Sequence, residues 1–143
     1  MSARSKGREI ALQALYQLEW GDWEDDPEEA LLSLLETAGP GRLDKEHPSV
    51  RFALQLLEGI LENRDKIDGV IQRYARNWRL ERMAMVDRNI LRIGVYELLF
   101  SDDVPPKVAI NEAVELGKRF GAEDSAPFVN GILDAVHKRE RGA

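Results

Sequence analysis

Apolar residues recur at three- and four-residue spacing along almost the whole chain, and no segment sustains the alternation of a half-buried strand. The pattern predicts an all-α fold. A first helix runs from about Ala3 to Leu18 with Ile10, Ala11, Ala14, Leu15 and Leu18 on one face, and Gly21 ends it. Asp26-Pro27 reads as a cap followed by proline in the first turn, opening a short helix through Leu31, Leu32 and Leu35 that stops before a Gly39-Pro40-Gly41 loop. His47-Pro48-Ser49 restarts the chain into a helix bearing Phe52, Leu56, Leu57, Ile60 and Leu61, and a further helix carries Ile67, Val70, Ile71 and Tyr74. Trp78 to Leu80 is a connector. Met83 to Phe100 is apolar on more than one face, which predicts a central helix packed on several sides, with Gly94 permitting a close helix contact. Pro105-Pro106 closes that helix and suits the first turn of the next, whose Ile110, Ala113, Gly117 and Phe120 repeat at three and four before Gly121 stops it. In the last helix Val129, Ile132, Leu133 and Val136 face inward, and Asp124 or Ser125 is placed to accept from its free amides.

With 143 residues the chain has about one domain's worth of sequence, enough to bury a core without disulfides or a metal. A single domain over the full length is expected. There is no Cys and there are only two His, so thiolate and imidazole metal sites and a cysteine nucleophile are excluded. The basic start MSARSKGRE lacks an apolar h-region, and no run of about eighteen apolar residues occurs. A soluble, cytoplasmic protein without a membrane partner is expected.

The net charge of -6 argues at first against a polyanionic partner. The average hides an asymmetry. Asp22, Glu24, Asp25, Asp26, Glu28 and Glu29 form an acidic stretch, whereas Arg4, Lys6 and Arg8 lead the chain and Arg73, Arg76, Arg79, Arg82, Arg88 and Arg92 crowd its middle. Over a Debye length of about 8 Å at physiological salt, a local basic surface acts independently of a distant acidic one.

Arg88, Arg92 and Tyr96 recur every four residues, so they stand on one stripe of the central helix. Arginine pairs with phosphate, and both residue types stack on unpaired bases. The bland alternative is that the arginines bridge neighbouring carboxylates while Tyr96 is half core. Arg4, Arg8, Gln13 and Tyr16 make a second basic and aromatic strip on the first helix, and Phe128 lies just off the inward stripe of the last helix, near Asp124. Core packing for Phe128 and simple capping for Asp124 compete evenly with base stacking there. A hydrolase built on Ser125 and His137 fails on reach, since they lie about three turns apart on one helix. No Gly-rich phosphate loop or nucleophile elbow accompanies the other carboxylates, so catalysis and a cofactor are not expected.

Three segments carry a resemblance: GREIALQALYQLEW, DRNILRIGVYELLF and DVPPKVAINEAVELGKRFGAEDSAPFVNGILD. Together they resemble the NusB family of transcription antitermination proteins, across the first helix and most of residues 80 to 136. The resemblance implies about seven helices in two packed bundles, and an RNA-binding adaptor in place of an enzyme. It implies binding to the boxA element of ribosomal RNA operon transcripts with ribosomal protein NusE, within an RNA polymerase antitermination complex. Carried over by motif position, RNA contact falls to Lys6, Arg8, Gln13, Tyr16, Arg92, Asp124 and Phe128, with Arg88 added from the helical stripe, and NusE contact to Asp87 and Glu97. Arg8, Tyr16, Arg92 and Phe128 are expected close together. The N-terminal basic residues are spaced by Ser5 and Gly7 and followed by Glu9, thinner than the family's arginine cluster, which implies modest RNA affinity for the isolated protein. The alternatives are a NusB-like front domain of a ribosomal-RNA cytosine methyltransferase and a protein-only helical module that self-associates as a homodimer.

Overall fold

The computed structural model describes residues 2–36 and 44–140, which form seven α-helices and one 3₁₀ turn, with no strand among the described residues. The expected Gly39-Pro40-Gly41 loop lies outside them. The chain divides into two compact units, Met1–Glu62 and Asn63–Ala143.

In the first unit α1 (Ala3–Trp20) packs along α3 (Pro48–Glu62) and against α2 (Pro27–Glu36). Its start is capped by Ser2, whose Oγ accepts from the Ser5 amide at 3.0 Å, and its end by Gly21, whose amide reaches the Gln17 carbonyl at 2.9 Å. The face foreseen from spacing, Ile10, Ala11, Ala14, Leu15 and Leu18, is buried. Asp26 caps α2 by accepting from the Glu29 amide at 3.2 Å, with Pro27 in the first turn. At the start of α3 the His47 Nδ1 accepts from the Ser49 amide at 3.1 Å. Gly7 marks where α1 meets α3: a Cβ there would stand 2.8 Å from the Ser49 carbonyl oxygen and 2.8 Å from Phe52 Cδ2.

The second unit is built round α5 (Met85–Leu99), which packs on α4 (Arg64–Tyr74), α6 (Pro106–Phe120) and α7 (Ser125–Glu140). Burial on several faces explains its apolar run: Ile90, Leu91, Ile93, Val95 and Leu98 are all buried, each contributing about 1.5 to 3 kcal/mol. Gly94 does permit close contact, since a Cβ there would lie 2.6 Å from Leu133 Cδ1 on α7.

Two local expectations are corrected. The buried face of α6 is Ala109, Ala113, Leu116 and Gly117, while Phe120 is exposed with the Arg119 guanidinium 5.4 Å from its ring centre. The helix ends there, at Gly121. At the head of α7 the Ser125 hydroxyl does not accept from a forward amide; it accepts from Ala122, three residues back, at 2.8 Å. That bond closes the turn between α6 and α7 so tightly that a Cβ on Gly121 would run into the Ser125 side chain and the Gly117 carbonyl.

Candidate nucleic-acid interface

On α1 the positions not needed for packing face outward: Lys6, Gln13, Tyr16 and Trp20 are exposed, Trp20 to 78%. Arg8 behaves differently. It is buried, and its guanidinium lies 5.3 Å from the centre of the Phe52 ring, with the exposed Arg4 at 5.2 Å from the same ring. Both distances are within cation–π range.

In the second unit an open hollow of about 160 Å³ is lined by Trp78, Arg82, Met83, Ala84, Asp87, Asp124 and Phe128. Three expected residues, Asp87, Asp124 and Phe128, are thus brought together. Phe128 is half-buried and meets Trp78 edge to face, ring centres 6.2 Å apart at 78°. Trp78 owes its place to Gln72, whose Nε2 donates to the carbonyls of Ala75 at 3.3 Å and Trp78 at 2.7 Å, while its Oε1 accepts from the Leu80 amide at 2.9 Å. Asp87 Oδ1 is buried and has no donor among the described residues. A buried acceptor left unmatched costs about 1 to 3 kcal/mol, which a ligand's N–H group recovers.

Arg88 and Arg92 do not line this hollow. Arg88 Nη1 donates to the carbonyls of Met83 at 2.7 Å and Glu81 at 3.3 Å, tying the 3₁₀ turn (Leu80–Arg82) to α5. Arg92 holds Asp68 of α4 in a forked pair at 2.8 and 3.2 Å and Asn89 at 2.7 Å, with only 6% of its side chain exposed. Tyr96 stacks on Phe100, ring centres 6.3 Å apart and 7° from parallel. Glu97 is buried. Of the helical stripe Arg92 is buried and bridges a carboxylate, while Arg88 and Tyr96 are half-buried; Arg8 and Tyr16 belong to one unit and Arg92 and Phe128 to the other.

Chemically the hollow offers two carboxylates, one arginine and two aromatic rings set edge to face, a setting for a planar ring bearing N–H donors more than for a phosphate. In the sequence Trp78 reads only as part of a connector and Arg82 only as one of the crowded mid-chain arginines. Their signal, an aromatic and an arginine in a short polar connector, gains meaning only when Phe128 is placed opposite.

Residues 5–138 match the NusB family. The chain belongs to the NusB family. Similar relatives are transcription antitermination proteins NusB of Myxococcus xanthus, 52% identical over 95% of both chains, and of Symbiobacterium thermophilum, 47% identical over 99% of this chain and 93% of the other. Among solved structures, T. maritima NusB matches with a TM-score of 0.81 at 40% identity, covering 95% of this chain and 91% of that one. A structure of antitermination factors NusB and NusE in complex with dsRNA matches with a TM-score of 0.80 at 28% identity, covering 96% and 98%. The NusB fold agrees with the helices described above. Among the described residues of this NusB-family chain, no helix is long and apolar enough to cross a membrane.

Proposed function

We propose that this chain is an antitermination adaptor that binds boxA RNA of ribosomal RNA operons together with NusE and keeps RNA polymerase processive. The observation that carries the reading is the hollow in which Phe128 and Trp78 form an aromatic wall beside Asp87 and Asp124. The NusB and NusE complex with dsRNA, matched at 28% identity, supports both partners. Phe128 stacks an unpaired base and Asp124 accepts from a base edge, while Lys6, Gln13 and Tyr16 on α1 contact the backbone and sugars and the buried Arg8 supports that face from beneath. Arg88 and Arg92 serve RNA from within, by fixing the wall of α5 behind the hollow. Asp87, whose Oδ1 has no donor among the described residues, suits a cationic or N–H group of NusE, and Glu97 is the second candidate on that helix.

The test is a fluorescence-anisotropy titration of boxA RNA and a scrambled control, with and without NusE, at two salt concentrations. Selective binding that NusE strengthens and salt weakens is expected. Equal or absent binding to both RNAs, with NusE binding retained, would overturn the adaptor in favour of the protein-only module.

A further inference from the structure

We propose that Phe52 is a positioning residue for RNA, acting through Arg4; the inference rests on the RNA-binding reading above and adds a residue to it from outside α1. Arg4 sits in the first turn of α1, where helices fray, and is exposed. An arginine in that place samples many rotamers unless something holds it. The Phe52 ring is one contact that does so: it is half-buried on α3, and it has the Arg4 guanidinium 5.2 Å from its centre and the buried Arg8 guanidinium 5.3 Å from it.

The ring reaches the first turns of α1 because Gly7 lies between the two arginines. With no Cβ at that position, α1 settles onto the Ser49 carbonyl and the Phe52 ring at distances that any side chain would forbid. Gly7, which interrupts the basic run in sequence, is thus the residue that lets the remaining cations share an aromatic partner. Arg8, 2% exposed, is the buried end of this arrangement, and Arg4 is the end that faces solvent. The direct phosphate contact of this pair therefore belongs to Arg4, with Phe52 and Arg8 beneath it.

The experiment compares Phe52→Leu, which keeps apolar bulk and loses the π face, with Phe52→Tyr, which keeps both, each alone and in an Arg4→Gln background. The probe is boxA RNA over a salt series, and thermal melts check the fold. Phe52→Leu is expected to weaken binding about two- to fivefold and to make the slope of log K against log salt shallower by about 0.7, one single-strand phosphate contact. Phe52→Tyr keeps wild-type affinity and slope. Once Arg4 is replaced by Gln, Phe52→Leu adds nothing further, since the two act as one unit.

Equal weakening by Phe52→Leu with and without Arg4, or an unchanged affinity and slope, overturns the inference. The parent reading is checked separately by the wild type and Lys6→Ala. Wild-type binding that Lys6→Ala weakens while Phe52→Leu does not sinks the positioning role alone, and a wild type that binds no RNA sinks both.

Discussion

The two units use arginine in opposite ways. In the unit of α1 to α3, Arg4 and Arg8 are gathered on one aromatic ring, a partner that attracts a cation through its π face. In the unit of α4 to α7, Arg88 and Arg92 aim their donors at carbonyls, a carboxylate and a side-chain amide of the same unit. Arginine density along a sequence therefore says little about what each guanidinium does; the groups it meets in the fold decide it. Close-approach glycines show the same contrast. Gly7 meets a backbone carbonyl, which cannot move aside, and Gly94 meets the end of the Leu133 side chain, which can.

The largest expected effect tests the structural use of arginine. Arg92→Ala strands the partly buried Asp68 carboxylate and should cost about 2 to 4 kcal/mol in urea unfolding, with Arg92→Lys recovering only part because the fork is lost. A cost near zero would place Arg92 on the binding side of the comparison. Next come the glycines: Gly7→Ala should destabilise by about 1 to 3 kcal/mol, more than Gly94→Ala, and only the latter should be relieved by Leu133→Val. Equal costs, or relief at neither, would remove the distinction between rigid and yielding neighbours.

Phe128→Ala should weaken boxA binding by about 1 to 3 kcal/mol while leaving the salt slope unchanged, which separates the aromatic hollow from the cations of α1. The smallest effect concerns the end of α7, where Glu140 accepts from the Tyr74 hydroxyl and pairs with Arg73 at 2.7 Å. These two contacts, the hydroxyl first, hold the Glu140 carboxyl below the usual carboxylate range. A lowered acid contributes stability above its unfolded pKa and loses it as pH falls through the folded value, so the contact should release only in acid. NMR titration of the Glu140 carboxyl should show a midpoint below that of an exposed glutamate, moving up in Tyr74→Phe.

Helix positions were legible because their signals are local. Asp26-Pro27, Pro105-Pro106, Gly21 and Gly121 act through bonds and clashes within a few residues, and each stands where the chain pattern puts it. The all-α fold and the crowded central helix followed from the same spacing. Side-chain commitments were not legible. Nothing near Arg92 in sequence names Asp68 as its partner, since the pair forms only once α4 lies beside α5. Likewise the spacing around Ser125 fits a forward cap equally well; the tight α6 to α7 turn is what brings the Ala122 amide to its hydroxyl. Of the expected site, Asp87, Asp124 and Phe128 came together, and the missing wall, Trp78, was hidden in what read as a plain connector.

One side-chain amide makes three of the bonds that hold that connector. Gln72 donates to two carbonyls and accepts from one amide across the span from Ala75 to Leu80, so one side chain does there what a neighbouring strand does in a sheet. Only a group with a donor and an acceptor can play both parts; a glutamate of the same size would repel two of the three partners. The indole opposite Phe128 is thereby ordered before anything arrives. Whatever enters the hollow beside these two rings meets an edge already standing, and the disorder that a free loop would have surrendered on contact has been removed at folding.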